Sequence, residues 1–249
     1  MCGGGKDMVT PTRNFNLLYI VLDSVFILVL LLLLFFKKER RALIFALFGG
    51  ILYFIVDYGM FYGLNGGREV LISNEKQGPL MTAWVLLWMS LSYGITSFTM
   101  MWLALKKSRN LIPITGLIVL WWLCCPLISV AGGEMNICTF RTTDRYHWIM
   151  AVILFVGYFI LIMLNLFGKK DISILYLFVV GFLIQFFWEA ALLVTGIRPF
   201  NDQSIRTLLV DSLVETNLGM PIAYGIYAAI RKKWGNEADT DDILSCVHL

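Results

Sequence analysis

Apolar and polar positions alternate along the 249-residue chain on the scale of whole helices. Seven apolar runs are separated by short polar segments: 16–36, 42–63, 80–105, 111–131, 147–167, 172–197 and 207–230. Each is close to the length a helix needs to cross a hydrocarbon core, about 20 residues. No Lys or Arg falls deep inside any of them. The pattern predicts an all-α fold, a polytopic membrane bundle of seven transmembrane helices over residues 16–231. A Gly-rich N-terminal tail (1–15) and a polar C-terminal tail (232–249) flank it, the second reading as solvated chain. The chain has no internal repeat.

Composition agrees. Hydrophobic residues make up 59% and charged residues 15%, where a soluble domain carries about a quarter charged. Mean hydropathy is +0.76. The net charge of +3 is small and its basic residues fall in short clusters between runs, which argues against a nucleic-acid partner. Such clusters orient membrane helices. Twelve basic residues lie on one side: Lys37, Lys38, Arg40, Arg41, Lys106, Lys107, Arg109, Lys169, Lys170, Arg231, Lys232 and Lys233. Eight lie in the longer segments of the other. The expected N-terminus is outside or lumenal, and the C-terminus cytoplasmic. The first residues lack the order of a cleavable signal, so the first run reads as a retained helix. Trp148 and Trp234 fall where an aromatic belt belongs. The five cysteines form no zinc pattern and read as apolar fillers or free thiols.

Five carboxylates interrupt this picture: Asp23, Asp57, Glu189, Asp211 and Glu215. Acids inside a membrane are costly and face the bundle interior. A rise of about 1.5 Å per residue puts all five roughly 7–13 Å below the same, outer surface. Asp211 and Glu215 are four apart and share a face, as do Gln185 and Glu189, and Tyr53 and Asp57. Helices 2, 6 and 7 can therefore present polar stripes to one cavity, with Asn217 continuing helix 7. Pro221 should kink that helix. With no basic residue beside them, these acids cannot all be ionised. Some should hold a proton, and the rest should stabilise a cation. Asp211, the shallowest, is expected near Arg206.

The stretches 55–62 (IVDYGMFY), 185–199 (QFFWEAALLVTGIRP) and 211–221 (DSLVETNLGMP) resemble the membrane-integral terpene cyclases of fungal meroterpenoid and indole-diterpene pathways and their bacterial relatives. The likeness covers most of the chain in layout, with an acid late in helix 2 and another early in helix 7. The family's helix-2 acid tends to be Glu after Trp. Here Asp57 follows Val56, and the Trp-Glu pair is Trp188–Glu189 in helix 6. The resemblance implies acid-initiated, metal-independent cyclisation of a lipophilic polyprenyl-type substrate, with or without an epoxide, and no cofactor. By carry-over, Asp57, Asp211 and Glu215 are the catalytic acids. Depth and spacing add Glu189. Candidate substrate-binding residues are Tyr53, Tyr58, Trp88, Tyr93, Gln185, Trp188 and Asn217.

Two other readings stay open. Intramembrane acids also mark proton- or cation-coupled transporters. A seven-helix ligand sensor is a third, but helix 7 lacks the Lys that a retinal pigment needs. His147 and His248 are the only histidines and stand at a helix start and near the chain end. That excludes a His-metal site or a Ser-His triad within the bundle. Gly49–Gly50 suits close helix packing and Gly66–Gly67 a turn.

Overall fold

A computed structural model describes residues 13–141, 147–168 and 173–234. The two polar tails lie largely outside the described residues, as do Lys169, Lys170, Arg145 and the side chains of His147 and Trp234. Among the described residues there are seven α-helices: α1 (Leu17–Phe36), α2 (Arg40–Phe54), α3 (Pro79–Lys106), α4 (Leu111–Ser129), α5 (His147–Leu166), α6 (Ile174–Val194) and α7 (Asp202–Trp234). The first six, with α2 extended to Leu64, are long and apolar enough to cross a membrane. Their outward faces carry exposed Val25, Leu32, Ile51, Phe155 and Phe159. Such continuous apolar surface suits a helical bundle in lipid.

Local signals explain where the helices stop. The Asn16 side chain accepts from the Tyr19 N–H at 2.9 Å and caps α1. Its amide donates to the Ser129 and Gly133 carbonyls, tying α1 to the end of α4. Pro79 occupies the first turn of α3, where a missing N–H costs nothing. The central helix is α3, the most buried of these six. It meets α2 closely because three glycines lie at the crossing. A Cβ on Gly94 would stand 2.7 Å from the Gly50 Cα, and one on Gly49 2.2 Å from the Phe98 ring. Between α1 and α2, buried Glu39 ties its loop to the one after α3 by accepting from Ser108 Oγ, Asn110 Nδ2 and Lys106 Nζ. Helix α7 runs unbroken through Pro221, which packs against Gly157 of α5.

Two features depart from a purely α-helical bundle. Helix α2 continues as a π-helix over Ile55–Leu64. A four-stranded antiparallel sheet lies across one end of the helices, in the order β1-β4-β2-β3. Its strands are β1 (Arg13–Phe15), β2 (Arg68–Ile72), β3 (Glu75–Lys76) and β4 (Ile137–Arg141). The hairpin between β2 and β3 turns at Ser73 and Asn74, both with positive φ, the geometry of a two-residue type I′ turn. Cys138 of β4 is disulfide-bonded, a correction to its reading as a filler or free thiol. Cys124 and Cys125 are free.

Candidate functional site: an acid and arginine cluster under the sheet

The sheet determines the chemistry of the acids below it. Arg13 pairs in register near Thr139, and Arg68 opposite Arg141. Directly opposed residues, and residues two apart on one strand, share a face of a sheet. Arg13, Arg68 and Arg141 therefore all point the same way, into the bundle. Arg198 arrives from the loop after α6. There Gly196 (φ 75) ends the helix in the left-handed conformation, and the Arg198 N–H returns to the Leu192 carbonyl at 2.9 Å.

Each arginine meets one of the acids singled out by the sequence. Arg68 grips Asp57 through Nη2 at 2.5 Å and Nε at 3.3 Å. Arg141 donates to Glu215 and lies 3.4 Å from Asp211. Arg13 and Arg198 flank Glu189 at 3.4 and 2.7 Å. The expectation of acids without a basic partner is thus overturned. Their partners come from strands β1, β2 and β4 and from the loop after α6, which the apolar pattern alone does not reveal. Asp211 contacts Arg141 and not Arg206, which is exposed. The signal for the strands was present: a Ser-Asn turn between short β-prone segments, with Arg at a strand end each time.

Burial lowers the Arg198 pKa to about 10, against the pull of Glu189, so its guanidinium stays charged at neutral pH. Burial also lowers Arg68, while Asp57 opposes the fall. For Arg141 burial is outweighed by Glu215 and Asp211, and the net shift is upward.

A glutamine orders the centre of the cluster. Gln185 Oε1 accepts from the Tyr93 hydroxyl and from Thr216 Oγ1, the latter at 2.9 Å. That fixes the amide so that its Nε2 donates to Glu215 at 3.0 Å and faces Glu189 at 3.4 Å. The π-helix re-aims the end of α2. Tyr53 meets Tyr93 edge to face at 4.9 Å, while Asp57 turns to Arg68. Such helices recur at functional sites.

Asp57, Glu215, Tyr53, Tyr93 and Trp188 line one small cavity together with Arg13, Arg68 and Arg141. Its free space is about 20 Å³, enough for roughly one ordered water. Glu189 and Asp211 lie beside it, each with a carboxylate oxygen within 4.8 Å of Glu215. That spacing could hold a metal ion; here Glu189 faces Arg13 and Arg198, and Asp211 and Glu215 share Arg141. Trp88 lines a neighbouring cavity with Phe15, Tyr19, Met89, Ser92 and Trp188. Two predicted residues are elsewhere. Asn217 accepts from the Tyr158 hydroxyl at 2.9 Å and packs on Gly181. Tyr58 stacks between Phe54 and Tyr62 on a partly exposed face.

No known protein family, characterised protein or solved structure matches the chain in comparison.

Proposed function

We propose that this is a seven-span integral membrane enzyme that cyclises a lipophilic polyprenyl-type substrate by acid-initiated carbocation chemistry. The observation that carries the reading is the convergence of Asp57 and Glu215, from opposite ends of the sequence, on one cavity walled by Tyr53, Tyr93 and Trp188. Aromatic faces stabilise developing cations, and a positioned carboxyl can deliver the proton.

The ion pairs narrow the choice of donor. A carboxylate held by its own guanidinium is a poor acid, which assigns Asp57 to charge compensation with Arg68. Asp211 and Glu215 share Arg141. Two carboxyls facing one guanidinium can keep a proton without leaving a bare charge. Glu215 is the member that reaches the cavity, and Gln185 orients it. It gives its proton to the terminal epoxide or alkene. The final carbocation returns a proton to the pair. The resting cavity admits about one water, so a prenyl chain enters only when the sheet and helices separate. A coupled transporter is less well supported, because fixed arginines occupy the acids that a coupling cation would bind.

The disulfide at Cys138 favours an oxidising compartment for the sheet side. Together with the basic-residue asymmetry it supports an N-terminus outside or lumenal.

The test is cyclisation of terminally epoxidised farnesol by membranes containing the protein. Glu215→Gln should abolish product. Undiminished turnover in Asp57→Asn, Glu189→Gln and Glu215→Gln, each alone, would sink the reading.

A further inference from the structure

The arginines that line the cavity under the sheet each use only part of their guanidinium. Arg13, Arg68 and Arg141 stand there with two carboxylates, Asp57 and Glu215. Arg68 bonds Asp57 through Nη2 and Nε. Arg13 reaches Glu189, and Arg141 its two acids, through Nη2 alone. A guanidinium has five N–H groups. Among the described residues, Nη1 makes no hydrogen bond in any of the three. Ser90 of α3 lines the same cavity, is 2% exposed, and its hydroxyl has no partner. A buried hydroxyl left unpaired is costly, and its presence calls for an acceptor at the site.

The acceptors of the lining are engaged. Both Asp57 oxygens face Arg68, and the Glu215 oxygens accept from Arg141 and Gln185. What the cavity offers a guest is therefore N–H and O–H donors. Charge points the same way. Glu189 is shared by Arg13 and Arg198, so it cannot cancel both. Asp211 and Glu215 share Arg141. With one proton on that pair, the cluster has one positive charge in excess. The free space is about 20 Å³, the room of roughly one water. That is too small for phosphate, sulfate or an organic acid, and it suits a monatomic anion.

We propose that the cavity walled by Arg13, Arg68, Arg141 and Ser90 binds one small inorganic anion of the size of chloride. The proposal shares with the cyclase reading the proton held between Asp211 and Glu215, and needs no cyclase activity. An anion there joins β1, β2 and β4 to α3, so its binding adds to the stability of the folded chain.

Binding is linked to pH through that pair. Around it stand Arg141 of β4, Glu189 of α6, Arg198, Tyr53 of α2 and Tyr93 of α3. Asp57 with Arg68 lies across the cavity, and Tyr158 of α5 is bonded to Asn217. Below neutral pH the arginines stay charged and the tyrosines neutral. Only carboxyls then take up protons, and each proton favours an anion.

The experiment uses the full chain, purified in detergent without halide. Thermal unfolding is followed in sodium chloride, sodium sulfate and sodium gluconate at equal ionic strength. Chloride should raise the apparent Tm saturably over gluconate, as a ligand of the folded chain does, and sulfate should not. Acidification should lower the half-saturating chloride. Ser90→Ala removes a donor that has no partner in the anion-free chain. Its Tm in gluconate should match that of the unaltered chain, while its half-saturating chloride should rise about tenfold. Arg13→Gln should abolish the chloride shift, and Ser90→Ala decides the matter if that variant does not fold. Arg109→Gln, exposed between α3 and α4, should leave the shift unchanged. No chloride shift, an equal shift in sulfate, weaker binding on acidification, or a shift untouched by Ser90→Ala would each overturn the proposal. Failure of farnesol cyclisation with chloride binding intact would count against the cyclase reading alone.

Discussion

Arg68 and Arg141 are direct register partners on β2 and β4, yet each is held by a carboxylate from a different helix, Asp57 and Glu215. Like charges opposed on a sheet repel. The pairing survives because each charge is compensated from below, so the cluster behaves as one unit joining sheet to bundle.

The first prediction follows from that unit. Asp57→Asn leaves Arg68 buried and uncompensated, which typically costs about 3–5 kcal/mol. The apparent Tm in detergent should fall clearly. Replacing both partners, Asp57→Leu with Arg68→Met, removes the buried charges together and should recover most of the loss. A double variant no more stable than the single one would show that the pair contributes little.

Much of this architecture was legible in the sequence, for reasons that particular residues make clear. The apolar runs follow from helix length, and the observed helices start and end within a few residues of them. The glycines at 49 and 50 announced a close crossing, which Gly94 completes. The helix faces of the acids followed from four-residue spacing: Gln185 meets Glu189, and Asp211 lies beside Glu215. The partners did not. Arg13, Arg68 and Arg141 sit on strands of three to five residues, too short to stand out against long apolar runs. Their shared face exists only once register is known. A pairing between residues more than a hundred positions apart, such as Arg13 with Glu189, has no local signature.

A second prediction concerns the α2 and α3 crossing. The atoms nearest an added Cβ at Gly94 are backbone atoms of Gly49 and Gly50. Backbone cannot rotate away as a side chain can, so Gly94→Ala must push the helices apart. Overpacking of this kind costs roughly 1–3 kcal/mol. Gly116→Ala is the control, since nothing lies within 4 Å of a Cβ there. Thermal unfolding should separate the two variants, with only the first destabilised.

A third prediction tests the sidedness of the sheet. Asn74 in the β2–β3 turn and Arg109 between α3 and α4 are both exposed, at opposite ends of the bundle. In a background lacking other free thiols, Asn74→Cys should react with a membrane-impermeant maleimide in intact cells. Arg109→Cys should react only after permeabilisation. The reverse pattern would place the Cys138 disulfide and the arginine cluster on the cytoplasmic side.

Gln185 offers the sharpest separation of order from charge in the cluster. It carries no charge, yet it links Tyr93 and Thr216 on one side to Glu215 on the other. Gln185→Leu is near in volume and removes every one of those bonds, leaving buried hydroxyls and a carboxylate oxygen short of partners. Each such group costs about 1–3 kcal/mol, so the apparent Tm should fall although every ion pair remains. Tyr93→Phe removes only one donor and should cost less, near 1 kcal/mol. Combining Gln185→Leu with Tyr93→Phe should be less than additive, because the second change deletes a hydroxyl that the first has already stranded. Strict additivity in a double-mutant cycle would mean that Tyr93 and Gln185 act separately, and that the ordering of Glu215 has another source.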